Sequence, residues 1–394
     1  MKFTFWFSLF IVFYTFLGYG ILLYFLIKIR RAIKGKRPIP DVPFDELPSC
    51  TLVIAAYNEE GFIREKIANT LQLNYPANKL EILFVTDGSN DKTPDIIAEF
   101  PELKLLHKPE RSGKIAAVHR AVEQVNTDII VFTDANTYLN KDALINICRH
   151  YSDPNVGAVA GEKRVMADEQ ADASAAGEGF YWKYESTLKK WDSELYSVVG
   201  AAGELFSVRK DLYQPVSKDA ILDDFMISML IAEKGFRIIY EPESYASETA
   251  SADVSEELKR KVRIAAGGIQ SIIWLKGLFN IFKYGTLCFQ YVSHRVLRWT
   301  ITPFLLILAF ILNILIVSQP DELIFQLLLF AQTLFYVMAF VGYLFEKKQL
   351  RIKILFIPYY FCVMNYAVLA GIIRYFRKQQ SAVWEKAQRK EVTA

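Results

Sequence analysis

Cysteine is scarce. The 394 residues hold four, Cys50, Cys148, Cys288 and Cys362, and no two form a CxxC pair, so neither a zinc site nor a disulfide framework is indicated. Histidine is as rare, with four scattered residues, which speaks against a histidine-rich metal centre. The chain has no GxGxxG and no Walker A sequence, so dinucleotide oxidoreductases and P-loop ATPases are disfavoured. An excess of one charge is also missing. With 46 Lys and Arg against 43 Asp and Glu, the net charge of +3 is too balanced for nucleic-acid binding by bulk electrostatics. A disordered chain would be poorer in apolar residues than this one, at 52% hydrophobic.

What is abundant is apolar sequence, concentrated at the two ends. The mean hydropathy is +0.17, high for a wholly soluble protein. Phe3 to Ile29 carries no charge until Lys28 and is long enough to cross about 30 Å of hydrocarbon as a helix. Lys28, Arg30, Arg31, Lys34, Lys36 and Arg37 follow at once, which argues for an anchor rather than a cleaved signal and puts this flank, with the region behind it, on the cytoplasmic side. Three more apolar runs, Trp299–Val317, Leu323–Phe345 and Ile354–Ile373, lie near the other end and hold no acidic residue. Three full spans would leave the end of the chain outside, yet Arg374, Arg377, Lys378, Lys386, Arg389 and Lys390 favour the cytoplasm. One run is then re-entrant or interfacial, or a further crossing lies within Leu278–Val292; both readings stay open. The division expected is a membrane helix at 1–30, a basic, proline-rich linker at 31–48, an α/β domain at 49–277, an interfacial amphipathic helix at 278–298, membrane helices at 299–375 and a basic tail at 376–394. The expected location is multi-pass in the cell membrane.

Short apolar strands alternate with helical patterns between the ends: Thr51–Ala55, Glu81–Thr86, Leu103–His107, Asp128–Thr133 and Val156–Gly161. This predicts a mostly parallel sheet with helices on both faces. Ligands of such sheets bind at the carboxyl ends of strands. Polar clusters stand there: Tyr57-Asn58-Glu59, Asp87-Gly88-Ser89, Gly113-Lys114 and Asp134-Ala135-Asn136. Asp134 and Asn136 can supply oxygen ligands to a divalent cation such as Mg²⁺ or Mn²⁺. Lys114, after a glycine at a helix start, suits phosphate oxygens. Each has a plainer reading: an Asx turn for Asp134 and Asn136, a solvated lysine for Lys114. Their convergence on one edge favours a nucleotide diphosphate site.

The order VIAAYNEE, FVTDGSNDKT, SGK, FTDANT, LDDF closely resembles the family-two glycosyltransferases of GT-A fold. With the membrane segments it is similar to the branch holding poly-N-acetylglucosamine, chitin, hyaluronan and cellulose synthases. The resemblance implies a UDP-sugar donor, a glycan or lipid acceptor, a divalent metal and an inverting transfer. It implies that Ala56, Tyr57 and Asp87 hold the uracil and ribose, with Glu59 beside them. Asp134 and Asn136 stand at the DxD motif, Asp224 at the general base, and Arg263 at the arginine of QxxRW. Tyr181, Trp182 and Tyr184, in Glu178–Glu185, fall in a segment that lines the acceptor path, and Gly200–Arg209 resembles a turn near the donor pocket. Three departures stand out. The second carboxylate of DxD is Asn136, QxxRW reads Arg260-Lys-Val-Arg263-Ile264, and Leu222-Asp223-Asp224 replaces Thr-Glu-Asp. Plainer readings remain for Asp223 and Asp224 as helix-start residues, for Arg260, Lys261 and Arg263 as a basic membrane-facing surface, and for the aromatic cluster as helix packing. His119 is given no role. Trp384 resembles a tryptophan near the end of relatives. The expected product is an exported polysaccharide, with transfer of one sugar and an inactive scaffold as the alternatives. The small number of helices leaves room for a second copy or an auxiliary subunit to complete a conduit.

Overall fold

The computed structural model describes residues 1–166, 174–249, 254–319, 322–348 and 352–379. Eight strands form one sheet: β1 (Cys50–Ala56), β2 (Leu80–Asp87), β3 (Lys104–Lys108), β4 (Ile129–Asp134), β5 (Tyr138–Leu139), β6 (Val156–Met166), β7 (Leu205–Arg209) and β8 (Arg237–Thr249). Their order across the sheet is β3-β2-β1-β4-β7-β6-β8-β5. The four strands β1 to β4 are parallel, as their apolar runs predict. The other half is mixed, since β7 runs antiparallel to β4 and β6, and β5 antiparallel to β8. Gly200–Arg209 is therefore not all turn: Leu205–Arg209 is the central strand β7.

Period-two alternation splits the apolar residues between two layers. Val53, Val85, Ile130 and Phe132 face one cluster with α3 (Lys114–Val122) and α5 (Asp223–Glu233). Leu52, Ile54, Phe84 and Val131 face another with Ile63 and Ile67 of α2 (Ile63–Leu71). Helices on both faces leave the carboxyl edge of the strands free. The strand order reverses between β1 and β4, which opens a crevice at that edge.

Among the described residues three helices are long and apolar enough to cross a membrane: α1 (Lys2–Lys34), α9 (Leu323–Lys347) and Ile354–Phe376 of α10 (Lys353–Phe376). A fourth candidate is the pair α7 (Thr286–Trp299) and α8 (Thr302–Val317), bent by 59°. The first helix outlasts the apolar run by a turn and ends at Gly35, whose φ of 72° stops it. There Arg31 donates to both carboxylate oxygens of Glu194, at 2.7 and 2.6 Å, on α4 (Ser174–Leu195). At its other end Lys2 pairs with Glu322 before α9.

The expected single amphipathic helix at 278–298 is broken. Asn280 caps a short helix, Ile281–Tyr284, and Gly285, at φ 47°, turns the chain into α7. Leu278, Leu287, Tyr291 and Val296 are buried in the domain core, so much of the segment's apolar surface covers the α/β domain. His294 on α7 lies between Asp192, 2.5 Å from Nδ1, and Glu185, 3.2 Å from Nε2, both on α4. Tyr19 of α1 donates to Asp192, and Arg295 and Arg298 each donate to Glu185 at 2.9 Å. This buried network ties α1, α4 and α7 together. The far half of α10 docks on α6 (Val254–Trp274): a Cβ on Gly371 would meet Ala265 Cβ at 2.6 Å and Ala266 N at 2.8 Å. Trp384 and the tail from residue 380 lie outside the described residues.

Candidate active site

The parallel register brings the strand ends level. Ala55 pairs with Asp134 and Ala56 with Thr86, so the residues after β1, β2 and β4 surround one opening. A cleft with about 600 Å³ of empty volume lies there, lined by Ala56, Tyr57, Glu59, Asp87, Arg111, Lys114, Asp134 and Asn136 among others. A second hollow of about 330 Å³ adjoins it through Lys114 and Asp134 and reaches Gly203 and Asp223.

Short hydrogen bonds fix the loops that line this cleft. Asn58 takes a left-handed conformation, φ 53°, and exchanges bonds with Asn90 at 2.8 and 3.0 Å, which locks the loop after β1 to the loop after β2. Glu59 N donates to Thr93 Oγ1 at 2.8 Å. Asp87 is 5% exposed. Its Oδ2 accepts from Ser112 N at 2.7 Å and Gly113 N at 2.6 Å, at the start of α3, while its Oδ1 has no hydrogen-bond partner and lies 3.6 Å from Arg120. Gly113, at φ 94°, allows the turn that presents those two N–H groups.

Lys114 donates to Asp134 Oδ1 at 2.5 Å. Burial disfavours its ammonium, but the carboxylates of Asp134, Asp223 and Asp224 outweigh that and raise its pKa. Asn136 Oδ1 is buried with no hydrogen-bond partner. An orphaned amide oxygen two residues from a carboxylate fits a hard cation, which seeks such oxygens. Among the described residues no group of three or more His, Cys, Asp or Glu forms a metal cluster, so a cation here would take its remaining ligands from a bound diphosphate or water.

Asp223 and Asp224 occupy the first turn of α5. Asp224 Oδ1 accepts from Phe225 N at 2.8 Å, and the loop Gly200–Glu204 packs on this turn. Gly203 approaches so closely that its Cβ would lie 3.2 Å from Asp224 Oδ2. Burial first, then the charges of Asp223 and Glu204, push the Asp224 carboxyl from 3.8 to about 7, against the opposing pull of the Phe225 N–H and Lys114. The helix-start reading and the chemical reading therefore meet in one pair.

Arg263 on α6 is half-buried and, among the described residues, has no hydrogen-bond or ion-pair partner. Burial lowers its pKa, and the charges of Asp223 and Asp224 oppose that. Its neighbour Arg260 is committed elsewhere, to Glu204 at 3.1 Å and Glu248 at 3.5 Å, in a network with Lys163.

The aromatic cluster is not assembled at the cleft in the same way. Tyr184 donates to the Phe16 carbonyl at 2.8 Å and packs on Gly20, so it serves the joint between α4 and α1. The side chains of Tyr181 and Trp182 lie outside the described residues.

Two residues at this edge went unassigned from sequence. Arg111, in the RSGK quartet, stacks its guanidinium 3.9 Å from the centre of the Tyr57 ring at the cleft mouth. An arginine one residue before the SGK motif was the available signal. Lys66 lies beneath the Asp134–Thr137 turn, fully buried, and a lysine in a helical repeat gives no sign of burial.

Residues 51–216 match the family described as glycosyl transferase family 2. The poly-beta-1,6-N-acetyl-D-glucosamine synthase of Staphylococcus aureus is 28% identical over 274 residues, which span 67% of this chain and 64% of that protein. A probable glycosyltransferase of Bacillus subtilis, YdaM, is 26% identical over 253 residues, 60% of this chain and 59% of its own. The matched part is thus just under two thirds of the length of these relatives. Among solved structures, a mannosyltransferase from Pyrobaculum calidifontis in complex with GDP-Man and Mn²⁺ superposes with a TM-score of 0.68 at 22% identity. It covers 96% of this chain and all of its own, and shares the fold.

Proposed function

With residues 51–216 a family 2 glycosyltransferase domain, we propose that this chain is an inverting, membrane-integrated transferase that uses a UDP-sugar to build an exported polysaccharide. The observation that carries the reading is the meeting, at one sheet edge, of the Asp134 carboxylate and the orphaned Asn136 amide oxygen with a carboxyl poised near 7 at Asp224. A base titrating near neutral pH is half ready to accept a proton, which is where general-base catalysis works best.

Asp224 accepts the proton of an acceptor hydroxyl as that oxygen attacks the anomeric carbon of the donor. The bond from that carbon to the UDP oxygen breaks on the opposite side, so a single displacement inverts the configuration. Lys114 and Arg263 neutralise the departing diphosphate. A divalent ion, Mg²⁺ or Mn²⁺, held by Asp134 and Asn136, would supply further charge neutralisation there. Asp87, whose Oδ1 accepts no hydrogen bond, and the backbone at Ala56–Tyr57 face the nucleoside. Tyr57 and Arg111 form the wall at its mouth, with Glu59 behind.

The basic flank Lys28–Arg37 supports a cytoplasmic catalytic domain in the cell membrane. Docking of α10 onto α6 supports a basic end on the same side. Likeness to a poly-N-acetylglucosamine synthase favours a hexosamine donor and a polymer. A second reading, transfer of one sugar to a lipid or glycan, rests on Ile264 standing where the resemblance expects tryptophan. A time course with excess donor and limiting acceptor separates them. Long products while most acceptor is untouched mean a polymer; uniform one-sugar extension means the second reading.

A further inference from the structure

A lysine side chain is fully buried beneath the turn that carries Asp134 and Asn136. Lys66 of α2 is 0% exposed and no carboxylate pairs with it among the described residues. Its ammonium donates to the Thr137 carbonyl at 2.8 Å and to Thr137 Oγ1 at 3.4 Å. That hydroxyl in turn donates to the Asp134 carbonyl at 2.9 Å, closing the turn from Asp134 to Thr137. Burial pushes the pKa of this amine down to about 7, against the pull of the Asp134 charge. Burying a polar side chain is costly, so a sequence that keeps one there obtains something that an apolar side chain of the same length would not supply. The neighbouring contacts have the same aim. Glu65 accepts from the Tyr138 hydroxyl, and Asn69 brackets Leu139, accepting from its N–H at 2.8 Å and donating to its carbonyl at 2.9 Å. One face of α2 thus holds residues 137–139 one after another, and Lys66 holds the member nearest the two candidate ligands.

We propose that Lys66 is a positioning residue that sets the Asp134–Thr137 turn for binding a divalent cation together with the donor diphosphate. This role rests on the function proposed above. With only a carboxylate and an amide from the protein, the cation has few ligands to organise the turn for itself, so a turn fixed beforehand matters more than in an acid-rich site. Lys66 touches neither substrate nor cation; it acts through Thr137.

The test is Mn²⁺ binding to the full chain in lipid nanodiscs with saturating UDP, followed by the electron paramagnetic resonance of free Mn²⁺. Loss of the hydrogen bond to Thr137 predicts about tenfold weaker Mn²⁺ binding in Lys66→Met. A higher KM for the donor and a kcat within about threefold of wild type should accompany it. Ile67→Ala, at the next, equally buried position, should lower the melting temperature without weakening Mn²⁺ binding. If Lys66→Met does not fold, Thr137→Ala takes its place and should show the same weakening. Wild-type Mn²⁺ affinity in the variant, or equal weakening in Ile67→Ala, overturns the inference. Failure of the wild-type chain to bind Mn²⁺ with UDP would instead overturn the proposed function, so the two outcomes are distinct.

Discussion

Replacing Asp223 by asparagine should move the acid limb of the pH–rate profile. The Asp224 carboxyl sits at about 7, raised first by burial and next by the charge of Asp223 beside it. Adjacent carboxylates at an effective dielectric of about 20 repel by roughly 2 kcal/mol. Solvent and salt at this partly exposed pair reduce that to about 1 kcal/mol, which is nearly one pH unit. With saturating donor and acceptor, wild-type kcat should rise tenfold per pH unit on the acid side and level off above about 7. In Asp223→Asn the midpoint should fall by about one unit, whatever happens to the plateau. The assay is UDP release between pH 5 and 9. A midpoint that stays put, or moves upward, refutes the coupling and with it the account of why Asp224 is poised. Stability follows the same proton. The folded chain holds it more tightly than the unfolded chain does, so the stability that proton contributes is fully present below about 4 and lost as pH rises through about 7. The span from 3.8 to about 7 corresponds to about 4 kcal/mol, reduced by solvent screening to about 2. Asp224→Asn should therefore unfold at a higher temperature than wild type at pH 8 and no higher at pH 4, as calorimetry can check.

Asp224→Asn should also abolish transfer yet leave UDP binding nearly intact in titration calorimetry, because it removes the base and not the donor contacts; wild-type turnover would refute the assignment. Asp134→Ala should weaken both turnover and metal-dependent UDP binding, the latter about tenfold or more. In Gly200→Ala the new Cβ would sit 2.1 Å from the Phe225 ring at a φ of +83°, so stability should fall by about 2–3 kcal/mol in thermal unfolding. A reporter fused after Ala394 should read as cytoplasmic, and an external signal would mean that the basic end breaks the positive-inside rule.

The sequence was most legible where one local pattern decides one structure. Apolar runs of β-branched and leucine residues mark β1 to β4, and the polar clusters behind them fall at the carboxyl edge because parallel strands place them there. It was least legible where the pattern is shared. Leu205–Arg209 reads as part of a glycine-rich turn, yet long-range pairing with β4 and β6 makes it a central strand. The Phe279–Arg298 stretch has the composition of a membrane-surface helix, but Gly285 breaks it and the domain core covers several of its apolar residues. Tyr184 falls in the stretch that resembles an acceptor path, and its hydroxyl also donates to the Phe16 carbonyl of distant α1, a long-range contact that no local pattern announces. Lys66 and the poised state of Asp224 depend on burial, which no spacing of residues encodes.

The central claim is metal-dependent transfer from a UDP-sugar. The direct measurement is mass spectrometry of products after the purified chain, in membrane lipid with oligosaccharide acceptors, is incubated with labelled UDP-N-acetylglucosamine or UDP-glucose and Mn²⁺ or Mg²⁺. Labelled glycan and stoichiometric UDP are expected, favouring the hexosamine donor, both abolished by chelator and by Asp224→Asn. No product and no UDP from any donor in a full panel, with a chain that is folded and in lipid, would contradict it.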